Sequence, residues 1–194
     1  MAAVIHTHFI RTNSGLDVDL HNPTPDMLSI RDIAHHLSLI NRFSGATEAP
    51  YSVAQHSVLV ADLLLARKHT AATCMWGLLH DAHEAFLGDM TTPEQFALFG
   101  ERAESPRFLQ ERRFDVALAD KLFITLDHAV VNAVYEADCV ALATEWRSLM
   151  PGPCPNPHIR PDPQPVRPLP WHRAHDLFTK TYNTLARHLS LPEA

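Results

Sequence analysis

Apolar residues along this chain recur mostly at three- and four-residue intervals, which predicts helix over most of its length. The N-terminal stretch is different. Over residues 7–20, Leu16, Val18 and Leu20 alternate and Asn13-Ser14-Gly15 interrupts the run, so a short β-hairpin is expected there. After Pro23 and Pro25 the spacing turns helical. Ile30, Ile33, Ala34, Leu37 and Ile40 mark a first helix, and residues 44–50 read as a loop. Val53, Leu59, Val60, Leu63 and Leu64 mark a second helix over about 51–68. A third is expected over about 70–87, stopped by the breaker-rich stretch 88–93. Further helices are expected near 104–125 and 128–149, the latter opening on Asp127 as N-cap. Residues 151–170 are proline-rich and read as an extended arm, and a last helix runs over about 171–189 from Trp171. The pattern describes an all-α fold with a short N-terminal β-hairpin in a single domain over 1–194. Its parts are a hairpin and lead-in (1–25), a helical core (26–150), the proline-rich segment (151–170) and a C-terminal helix (171–194).

Some polar residues fall where this pattern expects contact with the core. On a helical projection Gly77, His80, Asp81, Glu84 and Gly88 share one face. His80 and Asp81 stand ~100° apart around the helix and can lean toward one cation. Glu84 lies one turn on, beyond easy chelating reach but placed to handle a proton. Gly77 costs about 1 kcal/mol in a helix interior, so close packing or space beside an ion is expected to offset it. His56 shares the inward face of the second helix with Val53, Leu59, Val60 and Leu63. A buried imidazole must find a partner, either a metal ion or a backbone carbonyl. A closing carboxylate is offered by both Asp138 and Asp120, each on an apolar helix face, and periodicity does not choose between them. The pair His175-Asp176 lacks companion ligands at suitable spacing and reads as a surface pair. His35-His36 and His83 read as surface or supporting residues rather than ligands.

Composition narrows the picture. The chain has 194 residues, enough for one domain with a real core, and at 46% hydrophobic and 20% charged it is a globular composition. A formal net charge of -6 offers no basic footprint for nucleic acid, so an anionic ligand must be held by local groups or a metal. No apolar run approaches the ~20 residues of a membrane helix, and the N-terminus carries no signal-like apolar stretch. The three cysteines, Cys74, Cys139 and Cys154, form no CxxC pair, which fits a reducing cytoplasm. The fourteen histidines suit metal chemistry but also raise the odds of a chance His-Asp pair.

Taken together, several segments resemble the HD-domain metal-dependent phosphohydrolases. They are Asp32-Ile-Ala-His, Asn41-Arg42-Phe43-Ser44-Gly45, Tyr51-Ser-Val-Ala-Gln-His56-Ser, Leu79-His80-Asp81-Ala-His-Glu84, Gly88-Asp89, and Ala137-Asp138 followed by Leu142-Ala-Thr-Glu-Trp-Arg-Ser-Leu-Met150. The resemblance covers about residues 7–150 and is strongest to the small branch containing 5'-deoxynucleotidases and phage dATP triphosphohydrolases. It implies a helical HD fold, often dimeric or of higher order. It also implies one divalent ion (Co²⁺, Mn²⁺, Zn²⁺ or Mg²⁺) held by His56, His80, Asp81 and Asp138. Arg42 matches a phosphate-contacting arginine, Phe43 a residue beside the sugar or base, and Glu84 and Asp89 acidic residues tied to proton transfer and substrate contact. The expected activity is release of phosphate from 2'-deoxynucleoside 5'-monophosphates by a water that the ion activates. A dNTP triphosphohydrolase and a non-catalytic nucleotide sensor are the alternatives. One departure matters. Relatives follow Gly-Asp with Pro-x-Lys reaching phosphate, whereas Pro93-Glu94-Gln95 puts a glutamine in that place. Lys121 or an arginine would have to supply the missing cation.

Overall fold

A computed structural model describes residues 8–100 and 105–194. Among them, β1 (Phe9–Arg11) and β2 (Asp17–Asp19) form the expected hairpin, with Ile10 opposite Val18. Val18 is fully buried and Leu20 packs against the core in part, while Leu16 is exposed. Asp32 ties the hairpin down by accepting from Ser14 N at 2.9 Å and Ser14 Oγ at 2.6 Å.

The helices are α1 (Ile30–Leu39), α2 (Val53–Ala66), α3 (Ala71–Leu79), α4 (Glu84–Leu87), α5 (Thr92–Phe99), α6 (Pro106–Lys121), α7 (His128–Leu149) and α8 (Trp171–Leu189). Their starts follow capping chemistry. Ser29, Ser52, Thr70, Thr91, Ser105 and Asp127 each accept a backbone N–H of the first turn. Helix α2 is the hub: it packs on α1, α3, α7 and α8 and is buried around most of its circumference. Helix α8 is part of this core, with Phe178, Tyr182 and Leu185 buried against the bundle. The domain therefore does not end where the resemblance ends.

Two expectations are corrected. The third helix is not continuous over 70–87. Helix α3 stops at Leu79, and residues 80–83 form a tighter turn before α4. The bonds there run i to i+3: Ala82 N to Leu79 O at 2.9 Å and Glu84 N to Asp81 O at 3.0 Å. His80 is part of the cause, because its Nδ1 takes the Gly77 carbonyl at 2.8 Å in place of a helical N–H. The second correction is α5, which falls where only a break was expected before a helix near 104. Thr91-Thr92-Pro93-Glu94 carries its start signal, a Thr cap followed by Pro and Glu.

The proline-rich segment is extended, as expected, and is strapped across α2 and α7. Gln55 holds it from both sides of its amide, donating to Arg167 O at 2.7 Å and accepting from Leu169 N at 2.9 Å. Thr144 Oγ1 accepts from Asp162 N at 2.8 Å, and Arg147 donates to Asp162 O at 2.8 Å. Gly77 is explained by packing. A Cβ there would lie 2.3 Å from Leu64 Cδ1 and 3.4 Å from Val60 Cγ1, so its absence lets α3 close onto α2.

Candidate metal centre

His56 from the first turn of α2, His80 and Asp81 from the turn after α3, and Asp138 from the middle of α7 meet in one group. His56, His80 and Asp81 each offer a donor atom within 4.8 Å of the others. Asp138 closes the group, with its Oδ1 3.2 Å from His56 Nε2 and 4.0 Å from His80 Nε2. Asp120, the rival carboxylate, is exposed near the end of α6.

The orientation of the imidazoles is the most informative feature. His80 Nδ1 lies against the Gly77 carbonyl, an acceptor only, so Nδ1 carries the proton and Nε2 a lone pair. His56 Nδ1 lies 2.6 Å from Glu145 Oε1, which fixes Nδ1 as the donor there too and leaves Nε2 as the atom that can ligate once its own proton is lost. Both Nε2 atoms are buried and neither makes a hydrogen bond. They approach carboxylate oxygens, at 3.4 Å for His56 to Asp81 Oδ2 and 3.3 Å for His80 to Asp81 Oδ1, without hydrogen-bond direction. Donors that face a common point rather than one another suit a divalent cation, and two imidazoles with two carboxylates suit Zn²⁺, Mn²⁺ or Co²⁺. The Asp138 side chain is 36% exposed, so the group opens to solvent on that side.

Glu145 was not singled out in the sequence, yet it organises the site. It is fully buried and takes three donors: Tyr51 Oη at 3.0 Å and His56 Nδ1 at 2.6 Å on Oε1, and Arg42 Nε at 3.1 Å on Oε2. Glu145 thus supplies an orienting carboxylate to His56 and Arg42. Burial works against its charge, but Arg42 and His56 outweigh that and hold its carboxyl below the usual range. Burial likewise opposes the charges of Asp81 and Asp138, and both are nonetheless held low by the two imidazoles and Arg42. Burial and Arg42 oppose protonation of His56, but Glu145 and Asp138 raise its pKa to about 9.

Arg42 reaches the group from the loop after α1, with NH1 3.6 Å from Asp81 Oδ2. That loop is strained. Phe43 and Ser44 both take left-handed conformations, at φ 56° and 50°, each costing roughly 1–2 kcal/mol. They are held by Arg42 N donating to Tyr51 O at 2.9 Å and by the Phe43 ring standing edge-on to Trp146 at 5.9 Å.

The acidic pair behaves differently. Glu84 is buried, its Oε2 has no hydrogen-bond partner, and burial with Asp81 and Asp89 nearby pushes its pKa well above the usual range. Glu84 is not one of the His56, His80 and Asp81 group, in line with its expected distance from that ion; one donor atom from each of Asp81, His83 and Glu84 lies within 4.8 Å of the others. Asp89 is partly buried with its carboxyl raised, burial being the main cause.

The remaining candidates lie elsewhere. Gln95 is buried and donates to Glu111 Oε1 at 3.2 Å, and Lys121 donates to Pro25 O at 3.2 Å. Arg107 spends its guanidinium on Leu87 O, Gly88 O and Glu111. His36 bridges Ala85 O and Asn13 N, His35 packs edge-on to Trp171, and His175-Asp176 is a surface pair at 3.4 Å. A cavity of about 580 Å³ between α2, α7 and the arm, lined by Arg67, Tyr135, Cys139 and Ile159 among others, contains none of the four candidate ligands. Among the described residues no helix is long and apolar enough to cross a membrane.

No protein-family model matches the chain. It is 45% identical over 93 residues to "Uncharacterized protein RCAP_rcc00048" of Rhodobacter capsulatus, covering 45% of this chain and 47% of that protein, about half its length. It is 34% identical over 142 residues to "Uncharacterized protein YfdR" of Escherichia coli, covering 73% of this chain and 72% of that protein. With the fold and candidate metal group described above, this second match, long in both chains, shows that the chain belongs to the YfdR family.

Proposed function

We propose that this protein is an HD-type metal-dependent phosphohydrolase that releases phosphate from 2'-deoxynucleoside 5'-monophosphates. The observation that carries the reading is the pair of imidazoles, locked through Nδ1 and presenting Nε2 to Asp81 and Asp138, with Arg42 alongside. His56, His80, Asp81 and Asp138 would hold one divalent ion. Such an ion, when bound, neutralises a phosphate oxygen and acidifies a water.

The chain's own residues would do the rest. Arg42 is anchored through Nε by Glu145, which leaves its other N–H groups to bind phosphate oxygens. Positioning and charge neutralisation are the main demands of phosphoryl transfer, and a guanidinium preset by a buried carboxylate meets both. Burial, with Asp81 and Asp89 nearby, pushes the Glu84 pKa well above the usual range, which suits it to give a proton to the leaving 5'-oxygen. Phe43 and Trp146, half-buried beside Arg42, offer an aromatic wall to the sugar or base.

A monophosphate is favoured over a triphosphate because the further cations are committed elsewhere. Gln95 stands in the expected lysine's place and is held by Glu111, while Lys121 and Arg107 are bound to backbone carbonyls. The test is a panel of dNMPs, NMPs and dNTPs with Co²⁺, Mn²⁺ and Mg²⁺, identifying the phosphorus product. Orthophosphate with nucleoside from dNMPs is the expected outcome. Tripolyphosphate from dNTPs would make it a triphosphohydrolase, and dNMP binding without turnover a sensor.

A further inference from the structure

We propose that the proline-rich arm is a latch that keeps His56 against Glu145, and that Gln55 and Thr144 are the positioning residues through which it acts. Its effect on metal affinity rests on the proposed metal group; the latch itself does not.

His56 and Glu145 both lie near helix ends. His56 is in the first turn of α2, which opens at Val53, and Glu145 is four residues short of Leu149, where α7 stops. Helix ends lack part of their backbone bonding and are the first to fray. The buried 2.6 Å bond between the two side chains therefore joins the least restrained parts of the two helices.

The residues beside this pair grip the arm. Gln55 precedes His56, Thr144 precedes Glu145, and Ser148 lies a turn beyond Thr144. Consecutive helical residues stand ~100° apart, so one turn can serve the site and the arm at once. Gln55 spans Arg167 O at 2.7 Å and Leu169 N at 2.9 Å. Thr144 Oγ1 accepts from Asp162 N at 2.8 Å, and Ser148 Oγ accepts from Val166 N at 3.3 Å. Both hydroxyls spend their own protons within α7, Thr144 on Val140 O at 2.6 Å and Ser148 on Thr144 O at 2.7 Å. Their remaining lone pairs accept only a donor. The arm presents such donors in register. Pro161, Pro163, Pro165, Pro168 and Pro170 carry no N–H, and the N–H groups of Asp162, Val166 and Leu169 between them are the ones that α7 and α2 take. The same prolines hold the segment extended before it docks, so little chain entropy is lost in docking. The arm thus ties the start of α2 to the end of α7 from outside, while His56 and Glu145 join them from inside.

Three variants release the latch at different points. Gln55→Ala removes both of its bonds, Thr144→Val removes one acceptor at nearly constant shape, and Leu169→Pro deletes one arm N–H without touching either helix. Hydrogen exchange read by mass spectrometry on metal-free protein reports the latch. Competition for Mn²⁺ or Zn²⁺ with a chromophoric chelator reports its effect on the metal group. Exchange should quicken in the arm and also over residues 53–57 and 142–148, and metal affinity should fall about tenfold, the scale for losing an orienting contact. Thr144→Ser keeps the hydroxyl and should match wild type in both measurements. Faster exchange confined to the arm, with affinity within about threefold of wild type, would overturn the latch and make the arm a packed tail. Circular dichroism checks folding, and Leu169→Pro keeps the test decisive if a helix variant fails to fold. If the wild type binds no metal, the metal reading falls while exchange still decides the latch: quickening over 53–57 and 142–148 supports it, and its absence overturns it.

Discussion

Replacing Glu145 with glutamine tests whether this buried carboxylate organises the metal group. Its oxygens take three donors: Oε1 those of Tyr51 and His56, and Oε2 that of Arg42. A glutamine can keep its carbonyl in the Oε1 position. Its NH₂ then meets the Arg42 Nε–H donor to donor. One charge-assisted hydrogen bond disappears, about 1.5–3 kcal/mol, and a buried guanidinium loses its nearest counter-charge. Glu145→Gln should therefore lose about 2–4 kcal/mol of stability, lowering the midpoint by roughly 5–10 °C for a chain of this size. His56 would donate to a neutral carbonyl, and loss of such an orienting partner weakens metal binding by about 10–100-fold. Thermal denaturation in chelator reads the first effect, and competition for Zn²⁺ or Mn²⁺ with a chromophoric chelator reads the second. Tyr51→Phe is the control, because it removes one neutral donor at about 0.5–1.5 kcal/mol and should leave affinity nearly intact. A Glu145→Gln protein with unchanged midpoint and affinity within about threefold of wild type would refute the reasoning.

Other consequences follow from neighbouring contacts. Gly77→Ala should destabilise by about 1–2 kcal/mol in denaturant titration despite better helix propensity, because its Cβ would meet Leu64 Cδ1 at 2.3 Å inside a closed core. His56, raised to about 9 in the metal-free protein, must give up a proton to become a ligand. Metal affinity should thus climb about tenfold per pH unit between pH 7 and 9 and then flatten, and calorimetry in buffers of different ionisation heat should count close to one proton released. Asp32 is opposed by burial yet held low by Ser14, so its bond contributes stability above the ordinary carboxylate range and loses it as pH falls through the lowered folded pKa. Asp32→Asn should accordingly be less stable than wild type at pH 7 and converge with it in strong acid. Arg42→Lys keeps the charge but loses the fork; if Arg42 binds phosphate, KM for the nucleotide should rise at least tenfold in steady-state assays.

The legible parts of the fold were those decided by side-chain period and capping. The α2 stripe, the Asp127 cap, the extended proline arm and the Trp171 helix all appear where apolar spacing and breakers put them. The break after Leu79 was not legible, because residues 70–87 carry an unbroken helical pattern and His80 and His83 still have helical backbone angles. What changes there is hydrogen-bond partnership, from i−4 to i−3, with a side-chain nitrogen taking the Gly77 carbonyl. No residue-type preference records that exchange. Helix α5 is the opposite case: its cap, Pro and Glu were present, but Gly88 and the threonines drew attention as breakers.

The candidate site divides along a similar line. His56, His80 and Asp81 could be read because ligands break the apolar pattern of otherwise buried faces. Asp138 could not be separated from Asp120 by period, since both interrupt an apolar helix face, and only the packing of α7 against α2 and α3 brings one of them to the imidazoles. Glu145 escaped for a physical reason. It lies about two turns beyond Asp138 on α7, and from sequence a glutamate in a helix near Arg147 is most simply a solvated surface charge. Its burial depends on three partners from two other segments, Arg42 in the loop after α1, Tyr51 just before α2 and His56 within it. A charge is tolerable at full burial only when such partners converge, and their convergence is a property of packing. Glu84 makes the complementary case: it is nearly as buried, with one oxygen left unpartnered, and where no cationic partner converges on a buried carboxyl its pKa rises well above the usual range.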